Sequence, residues 1–204
     1  MNIAYEYSHL NGLEYMMIHR PRELAEIRNA IAAINASLYT KISRDKTKAG
    51  KTLLKQSDIN KQFELQLVAC GWRKKVRKNY FVADNIDTIK DTIHENNAKT
   101  QEQEIIKRGS KPLKTYNEVD FVKNEIAVEV QFGKYFSVAY DLHVKHTFFY
   151  LRNEINVGVE IIPTKVMKDQ MDTGVAWFEN EVANVIREGR SNPTVPIVIF
   201  GIEP

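Results

Sequence analysis

Apolar and polar residues alternate from residue 126 to residue 132, and this period of two predicts a β-strand. The apolar face of this strand would hold Ile126, Val128, Val130 and Phe132. Glu129 and Gln131 would then point together from the opposite face. A second apolar run with Asp120 in it comes just before, and the Lys-Asn-Glu sequence at 123–125 can turn the chain back. The pattern therefore predicts a hairpin that brings Asp120 and Glu129 together on adjacent strands.

The periodicity of the remaining chain predicts helices and strands on both sides of this hairpin, which covers residues 115–132. Helices are predicted over 21–38, 57–71, 137–151 and 173–189, and strands over 79–83, 155–162 and 195–202. Ser57 and either Asp172 or Thr173 are the predicted N-caps of two of these helices. This order of elements predicts an α/β fold in which a central mixed β-sheet is flanked by helices. The strand at 195–200 is apolar on both faces and should lie inside the sheet.

Length and composition predict a single domain and exclude a membrane span. The 204 residues suffice for one buried core, and no Gly-, Pro- or Ser-rich tract divides them, so we expect one domain over residues 1–204. No apolar stretch is long enough to cross a bilayer, and the first residues do not resemble a secretory signal. Cys70 is the only cysteine, which fits a reducing cytoplasm.

The net charge of +3 is too mild to indicate a nucleic-acid partner, but the basic residues are clustered. One run comprises Arg73, Lys74, Lys75, Arg77 and Lys78, with Tyr80 and Phe81 close behind. Such a run can follow a phosphate backbone, although a solvated loop is the simpler interpretation. A second basic stretch at 41–51 has no apolar period and is predicted to be a mobile loop.

The predicted hairpin offers a site for a divalent cation. Two carboxylates on rigid neighbouring strands, Asp120 and Glu129, supply the oxygen ligands that Mg²⁺ prefers. Gln131 beside them could orient water or a phosphate oxygen. From the spacing alone, two solvated surface carboxylates are the commoner outcome.

The longer sequence around these residues favours a metal site over two solvated surface carboxylates. Asp120, Glu129 and Gln131 follow the pattern Asp-x8-Glu-x-Gln, and Phe-Gly-Lys-Tyr comes directly after. This string resembles the catalytic segment of type II restriction endonucleases of the BglII, BstYI and BamHI group, within the PD-(D/E)xK nuclease superfamily. The similarity to BstYI-like members extends through 7–15 and 139–146 to the closing residues 201–204. It implies a restriction-endonuclease-like fold, in agreement with the predicted elements.

The resemblance also implies roles for the hairpin residues. Asp120, Glu129 and Gln131 would be catalytic, and Mg²⁺ would bind Asp120, Glu129 and the carbonyl oxygen of Val130. Gln131 stands where most of the superfamily has lysine, and glutamine can exchange hydrogen bonds but cannot act as a base or a cation. No residue is selected as a general base. Ser110, Asn117 and Glu118 all remain open for that role.

Candidate DNA contacts come from two further segments. Lys134 follows Gly133 and Thr173 precedes Gly174, and both pairs match recognition segments of the relatives. A lysine can donate hydrogen bonds to guanine. The alternatives are an exposed loop lysine and a helix N-cap. Lys145 and its neighbour His146 are expected near DNA phosphates, with a polar helix face as the alternative.

Together these features resemble a homodimeric, Mg²⁺-dependent type II restriction endonuclease. Its relatives imply cleavage of double-stranded DNA at a palindrome with a GATC core, in the form RGATCY, leaving four-base 5′ overhangs. A two-fold symmetric dimer suits a palindrome, and the aromatic run at 148–150 is assigned to the core or the dimer interface. Two other functions stay open: a structure-specific repair or junction nuclease of the same fold, and a catalytically inactive DNA-binding protein.

Overall fold

The computed structural model describes the whole chain, Met1–Pro204, as an α/β protein. Its strands are β1 (Asn2–His9), β2 (Thr40–Ile42), β3 (Thr52–Leu54), β4 (Arg73–Ala83), β5 (Pro112–Lys123), β6 (Ile126–Val130), β7 (Val157–Pro163) and β8 (Ile197–Glu203). Its helices are α1 (Gly12–His19), α2 (Pro21–Ala33), α3 (Gln56–Ala69), α4 (Ile86–Thr92), α5 (Ala98–Lys107), α6 (Tyr135–Tyr140), α7 (His146–Leu151), α8 (Lys165–Asp169) and α9 (Phe178–Glu188). A 3₁₀ turn covers Ala36–Leu38, and a π-helical turn, Asp141–Lys145, joins α6 to α7.

Six strands form one mixed sheet in the order β1-β8-β7-β6-β5-β4, and β2 and β3 form a separate hairpin. The pairs β6/β7 and β7/β8 are parallel, whereas β1/β8 and β5/β6 are antiparallel. This architecture confirms the predicted mixed sheet flanked by helices. The apolar strand β8 lies inside the sheet, as its sequence predicts.

Alternation along the central strands separates two hydrophobic layers. Val159 and Val198 belong to the layer that includes α1, α2 and α3, whereas Ile162 and Ile199 belong to the layer of α6 and α9. Full burial of one such side chain stabilises the fold by about 1.5–3 kcal/mol. Val128 and Val130 belong to the layer of α1, α2 and α3. Because alternate residues point to opposite faces, Glu129 on β6 faces the other side, that of α6.

The predicted hairpin is confirmed as the pair β5/β6. Phe121 pairs with Val128, and Lys123 pairs with Ile126 next to the turn. The turn residues Asn124 and Glu125 have φ angles of 45° and 63°. Positive φ at both central residues is the geometry of a type I′ turn, whose twist matches that of the flanking strands. The tight turn sets the register of the carboxylate-bearing strands.

Residues 73–83 form one strand, β4, so the predicted solvated loop before a short strand at 79–83 is wrong. The Arg77 guanidinium donates to Glu118 at 2.8 Å and lies 3.8 Å from the centre of the Tyr116 ring. Such contacts hold long basic side chains along a strand. Since β4 is the edge strand of the sheet, its charges also discourage pairing with other chains.

The segment predicted to be a mobile loop at 41–51 contains the connection between β2 and β3, which covers residues 43–51. The amide of Ser43 donates to the carbonyl of Lys51 at 2.9 Å, and Leu53 and Leu54 are buried. The Lys48 ammonium donates to the carbonyl of Asp169 at 3.1 Å. The segment is too short for its periodicity to predict the buried side chains of β3 or the hydrogen bond from Lys48 to Asp169.

The predicted helix starts at Ser57 and Thr173 are wrong. Ser57 lies inside α3, whose N-cap position is Lys55. Thr173 lies in the connection before α9, whose N-cap position is Trp177, because residue 175 forms a β-bridge that keeps this segment extended. The helix predicted over 21–38 ends at Ala33, and β1 and α1 cover opening residues for which no element was predicted.

The chain forms two compact units: Met1–Lys74 together with Val119–Pro204, and Lys75–Glu118. Within the smaller unit, the fully buried side chain of Gln101 accepts a hydrogen bond from the Phe81 amide and donates one to the Thr92 carbonyl. No helix anywhere in the chain combines the length and apolarity needed to cross a membrane.

Candidate active site

Asp120 and Glu129 meet on the strands β5 and β6. Extending the register of these strands by one step from Phe121 and Val128 places the two acidic residues opposite each other. The amide of Val130 donates to Asp120 Oδ2 at 3.1 Å, which fixes the Asp120 carboxylate beside the backbone of β6. Glu129 is buried, whereas Asp120 is only half-buried. One carboxylate is therefore enclosed and its partner is open to solvent.

A negative charge on the buried Glu129 carboxylate is unfavourable. Burial raises the pKa of Glu129 well above its ordinary value, and the charges of Asp120 and Asp141 raise it further. Burial likewise raises the pKa of Asp141, although Lys145 opposes this shift. Three acidic side chains therefore converge where the sequence predicted two.

Gln131 is held in one orientation by its neighbours. Its Nε2 donates to Asp141 Oδ2 at 2.8 Å, and its Oε1 accepts from the amide of Gly133 at 3.0 Å. A Cβ atom at residue 133 would lie 2.5 Å from Gln131 Oε1. Gly133, expected beside DNA, thus lies next to the end of the Gln131 side chain, which a larger residue at position 133 would displace.

Asp141 and Lys145 reach the site from the π-helical turn. Lys145 Nζ lies 2.7 Å from Asp141 Oδ1 and 3.2 Å from Glu129 Oε1. Burial alone would lower the pKa of Lys145, but the charges of Glu129 and Asp141 outweigh burial and raise it. Lys145, expected near DNA phosphates, therefore lies among the site carboxylates. Sequence reasoning missed Asp141, although its spacing of four residues from Lys145 is a helical pairing signal.

A second buried pair lies behind Glu129. His146 Nε2 and Glu160 Oε1 are 2.9 Å apart, and both side chains are fully buried. Glu160 is the register partner of Glu129 on the adjacent strand β7. The prediction that His146 approaches phosphates is wrong, because no part of it reaches the surface. An isolated glutamate between Val159 and Ile161 was the sequence signal for this pair.

The three residues considered as general bases, Ser110, Asn117 and Glu118, are either hydrogen-bonded to other side chains or buried. The hydroxyls of Ser110 and Thr88 are 2.9 Å apart, and Glu118 accepts from Arg77. Asn117 is buried. All three lie in the Lys75–Glu118 unit.

The donor set suits a hard divalent cation that keeps part of its hydration shell. No group of three or more His, Cys, Asp or Glu side chains is spaced to enclose a metal ion. Mg²⁺ commonly takes one or two carboxylates, with water and substrate phosphate completing its octahedron. Asp120 and Glu129 fit this role, and a cation between them would relieve the repulsion that raises the pKa of Glu129.

The predicted DNA-contacting segments lie side by side. Lys134 forms an isolated antiparallel bridge with Val175, and the amide of Tyr135 donates to the carbonyl of Gly174 at 2.8 Å. Lys134, Thr173 and Gly174 are all exposed. The Thr173 hydroxyl donates to the carboxylate of Asp45, in the connection between β2 and β3. The structure thus joins two segments that are far apart in the sequence.

Comparisons with known proteins show the family and the fold of this chain. The family model described as restriction endonuclease BglII/BglIII matches residues 4–202. The crystal structure of restriction endonuclease BglII complexed with a DNA 16-mer is similar, with a TM-score of 0.67 and 18% identity over 100% of this chain and 79% of that chain. Free BglII gives a TM-score of 0.59 and 16% identity over 100% and 80% of the two chains. A search of curated proteins finds no match.

Proposed function

Because this chain belongs to the restriction endonuclease BglII/BglIII family and is a site-specific DNA endonuclease, we propose that it is a homodimeric, Mg²⁺-dependent type II restriction enzyme. The observation that carries this proposal is the meeting of Asp120, Glu129 and Gln131 at one point of the sheet. The string containing these residues also resembles the PD-(D/E)xK pattern of the BstYI-like enzymes. We retain one endonuclease domain over residues 1–204, since the family model spans nearly all of the chain.

In this proposal Asp120, Glu129 and the Val130 carbonyl hold Mg²⁺. Bound Mg²⁺ would supply Lewis-acid stabilisation of the charge that develops on the phosphodiester. The Asp120 carboxylate is oriented for this role by the Val130 amide. Gln131 is held by Asp141 and Gly133, so its position is fixed, and its amide can orient a water molecule or a phosphate oxygen.

We propose that the exposed pair of segments around Lys134 and Thr173 reads the DNA sequence. A relative of the same fold is described in complex with DNA. Lys134 can donate to guanine, and Thr173 is a short polar residue, as in the BstYI-like relatives. Gly133 and Gly174 allow the backbone of each segment to approach DNA. We infer a palindrome with a GATC core, of the form RGATCY, and cleavage that leaves four-base 5′ overhangs.

A dimer is proposed because a palindrome cut on both strands is matched by two-fold symmetry. Five apolar side chains exposed on the segment 135–151 support a surface that another chain would cover. They are Tyr135, Phe136, Tyr140, Val144 and Leu151. Of the aromatic run at 148–150, Phe149 is buried in the core. A restriction role would place the enzyme in the cytoplasm, where it meets incoming DNA.

Digestion of a plasmid of known sequence with Mg²⁺, followed by mapping of the ends, tests this function. The expected result is a fragment set that matches the RGATCY sites, with four-base 5′ overhangs. The Asp120→Ala protein, purified in the same way, controls for contaminating nucleases. Cleavage at branched structures without a palindromic pattern would favour a repair or junction nuclease. Tight, specific binding with no cleavage would favour an inactive DNA-binding protein.

A further inference from the structure

The carboxylate site contains a cation that does not come from the hairpin. Gln131, the hairpin residue proposed to orient a water molecule or a phosphate oxygen, is neutral, and its Nε2 donates one hydrogen bond to Asp141. The positive charge is instead the Lys145 ammonium, which bridges Glu129 and Asp141 from the helical side. Its side chain is about one-fifth exposed, at 20%, so the ammonium borders both the buried carboxylates and solvent.

The structure fixes Lys145 at this point through the residue that follows it. His146 is fully buried against Glu160, and a Cβ atom at Gly158 would lie 2.7 Å from the His146 ring. Glycine on β7 therefore makes room for the ring, and the pair with Glu160 holds it there. Because the π-helical turn ends at Lys145, the buried position of His146 fixes the position of the Lys145 side chain. Turns of this kind are frequent at functional sites.

The carboxylate that Lys145 contacts, that of Glu129, also belongs to the proposed metal site. Its Nζ contacts Glu129 Oε1, on the side chain that would bind Mg²⁺. One ammonium cannot balance the carboxyl groups of Asp120, Glu129 and Asp141, so a divalent cation would still be attracted. Lys145 and a divalent cation would nevertheless compete for Glu129 in the DNA-free protein, because both would bind the same carboxylate.

We propose that Lys145 is a catalytic residue: when Glu129 engages Mg²⁺, the Lys145 ammonium donates a hydrogen bond to a non-bridging oxygen of the scissile phosphate. It would thereby supply the positive charge that Gln131 cannot. This inference rests on the proposed nuclease function. In the hydrolysis, a water oxygen forms a bond to phosphorus while the bond from phosphorus to the leaving sugar oxygen breaks. The proton from water passes to solvent, the leaving oxygen takes one up, and Lys145 keeps its protons throughout.

The test compares Lys145→Met, which removes the charge, with Lys145→Arg, which keeps it. Lys123→Met is a matched control, because Lys123 is another largely buried lysine, paired with Glu26 at 2.7 Å at the turn end of the hairpin and not with the site carboxylates. Each protein is assayed for single-turnover cleavage of a GATC-containing duplex at saturating Mg²⁺. Binding of Mn²⁺ to the DNA-free protein is measured by electron paramagnetic resonance. Circular dichroism and thermal unfolding report the folded state.

The two readouts should move in opposite directions. Loss of one preorganised electrostatic donor typically slows catalysis by about 10²–10³-fold, so Lys145→Met should cut at least about a hundredfold more slowly. The same variant should bind Mn²⁺ several-fold more tightly, because its competitor for Glu129 is gone. Lys145→Arg should retain cleavage within about tenfold of the parent, and Lys123→Met should resemble the parent in both readouts.

Several outcomes would overturn the proposal. If Lys145→Met cuts at the parental rate, Lys145 does not act on the phosphate. If cleavage and Mn²⁺ binding both weaken, Lys145 only holds the carboxylates in place. Should Lys145→Met fail to fold, cleavage by Lys145→Arg decides, and loss of its activity with normal folding and normal Mn²⁺ binding would contradict a role based on charge. Failure of the parent to cut DNA would instead refute the proposed nuclease function.

Discussion

The carboxylate site and the recognition segments are built in opposite ways. The site takes side chains from β5 and β6, and Glu129 and Asp141 are almost entirely enclosed. The segments around Lys134 and Thr173 are exposed and are held together by a single β-bridge and a few surface hydrogen bonds. The difference indicates that the proposed chemistry depends on the rigid sheet, whereas the proposed base contacts depend on connections that can change without disturbing the sheet.

The energetic consequences of this contrast differ as well. Breaking a buried, hydrogen-bonded charge network costs about 3–5 kcal/mol, since it leaves a charge without compensation. Breaking an exposed contact such as the one between Thr173 and Asp45 costs about 1 kcal/mol or less. Changes in the site should therefore affect cleavage most, and changes in the recognition segments should affect mainly the choice of DNA.

The largest effect is expected for the alanine variants of the site. Asp120→Ala and Glu129→Ala each remove a proposed ligand of Mg²⁺ and should slow cleavage at least about a thousandfold, equivalent to about 4 kcal/mol. Binding to a GATC-containing duplex should remain measurable, because each residue is proposed to bind the metal ion and not a base. Single-turnover cleavage and equilibrium binding provide the measurements. Near-parental cleavage by either variant would refute the assignment of the site.

A smaller and different effect is expected in the recognition segments. Lys134→Ala should reduce discrimination at the outer base pair by about ten- to a hundredfold, the value of one good base contact. The GATC core should still be required. Competitive cleavage of duplexes that differ only at the outer positions gives the ratio of cleavage rates, which measures the discrimination of parent and variant. Equal slowing on every duplex would mean that Lys134 contacts a phosphate and that other residues read the outer pair.

Gly158→Ala should destabilise the protein next to the site while every residue of the hairpin stays unchanged. The added methyl group would clash with the His146 ring, and overpacking of this kind costs about 1–3 kcal/mol in the free energy of unfolding. Urea unfolding measures the change. Adding His146→Ala should reduce the penalty of Gly158→Ala, because the clashing ring is then absent. Additive penalties in the double variant would show that this contact is not the cause.

The buried pair of His146 and Glu160 should give stability a characteristic pH dependence. Burial lowers the pKa of His146 from 6.5 to about 3 and raises that of Glu160 well above 4.5. Below 4.5 the unfolded chain gains protons on both groups, whereas the folded pair holds one, so stability should fall as the pH falls. As the pH rises above 4.5, the unfolded chain loses the Glu160 proton whereas the folded pair keeps it until the raised pKa is reached, so Glu160 lowers stability over that window.

Unfolding free energies from below pH 4.5 to above pH 6.5 test this dependence. The low-pH limb should have a slope of about 1.4 kcal/mol per pH unit for one proton. The double variant His146→Gln, Glu160→Gln is the reference, because it keeps Glu129, Asp141 and Lys145 as background charges. If parent and double variant depend on pH identically, the pair does not hold its proton as described.

The contrast between the carboxylate site on the sheet and the exposed segments also explains which parts of the molecule could be predicted from the sequence. The hairpin was predictable because strand side chains alternate strictly, so the positions of Glu129 and Gln131 follow once the strand is recognised. Lys145 was predicted on a helix but not in the site, because a π-helical turn changes which residues share a helix face. Thr173 was wrongly predicted as a helix cap, since the bridge between Lys134 and Val175 is a long-range contact.

The separation of chemistry from recognition is tested most directly by DNA binding of the Glu129→Ala protein. Binding is measured without Mg²⁺, for this variant and the parent, on GATC duplexes that differ only at the outer base pair. The account predicts the same order of preference for both proteins, together with loss of cleavage by the variant when Mg²⁺ is added. A changed order of preference, or cleavage that survives, would contradict it.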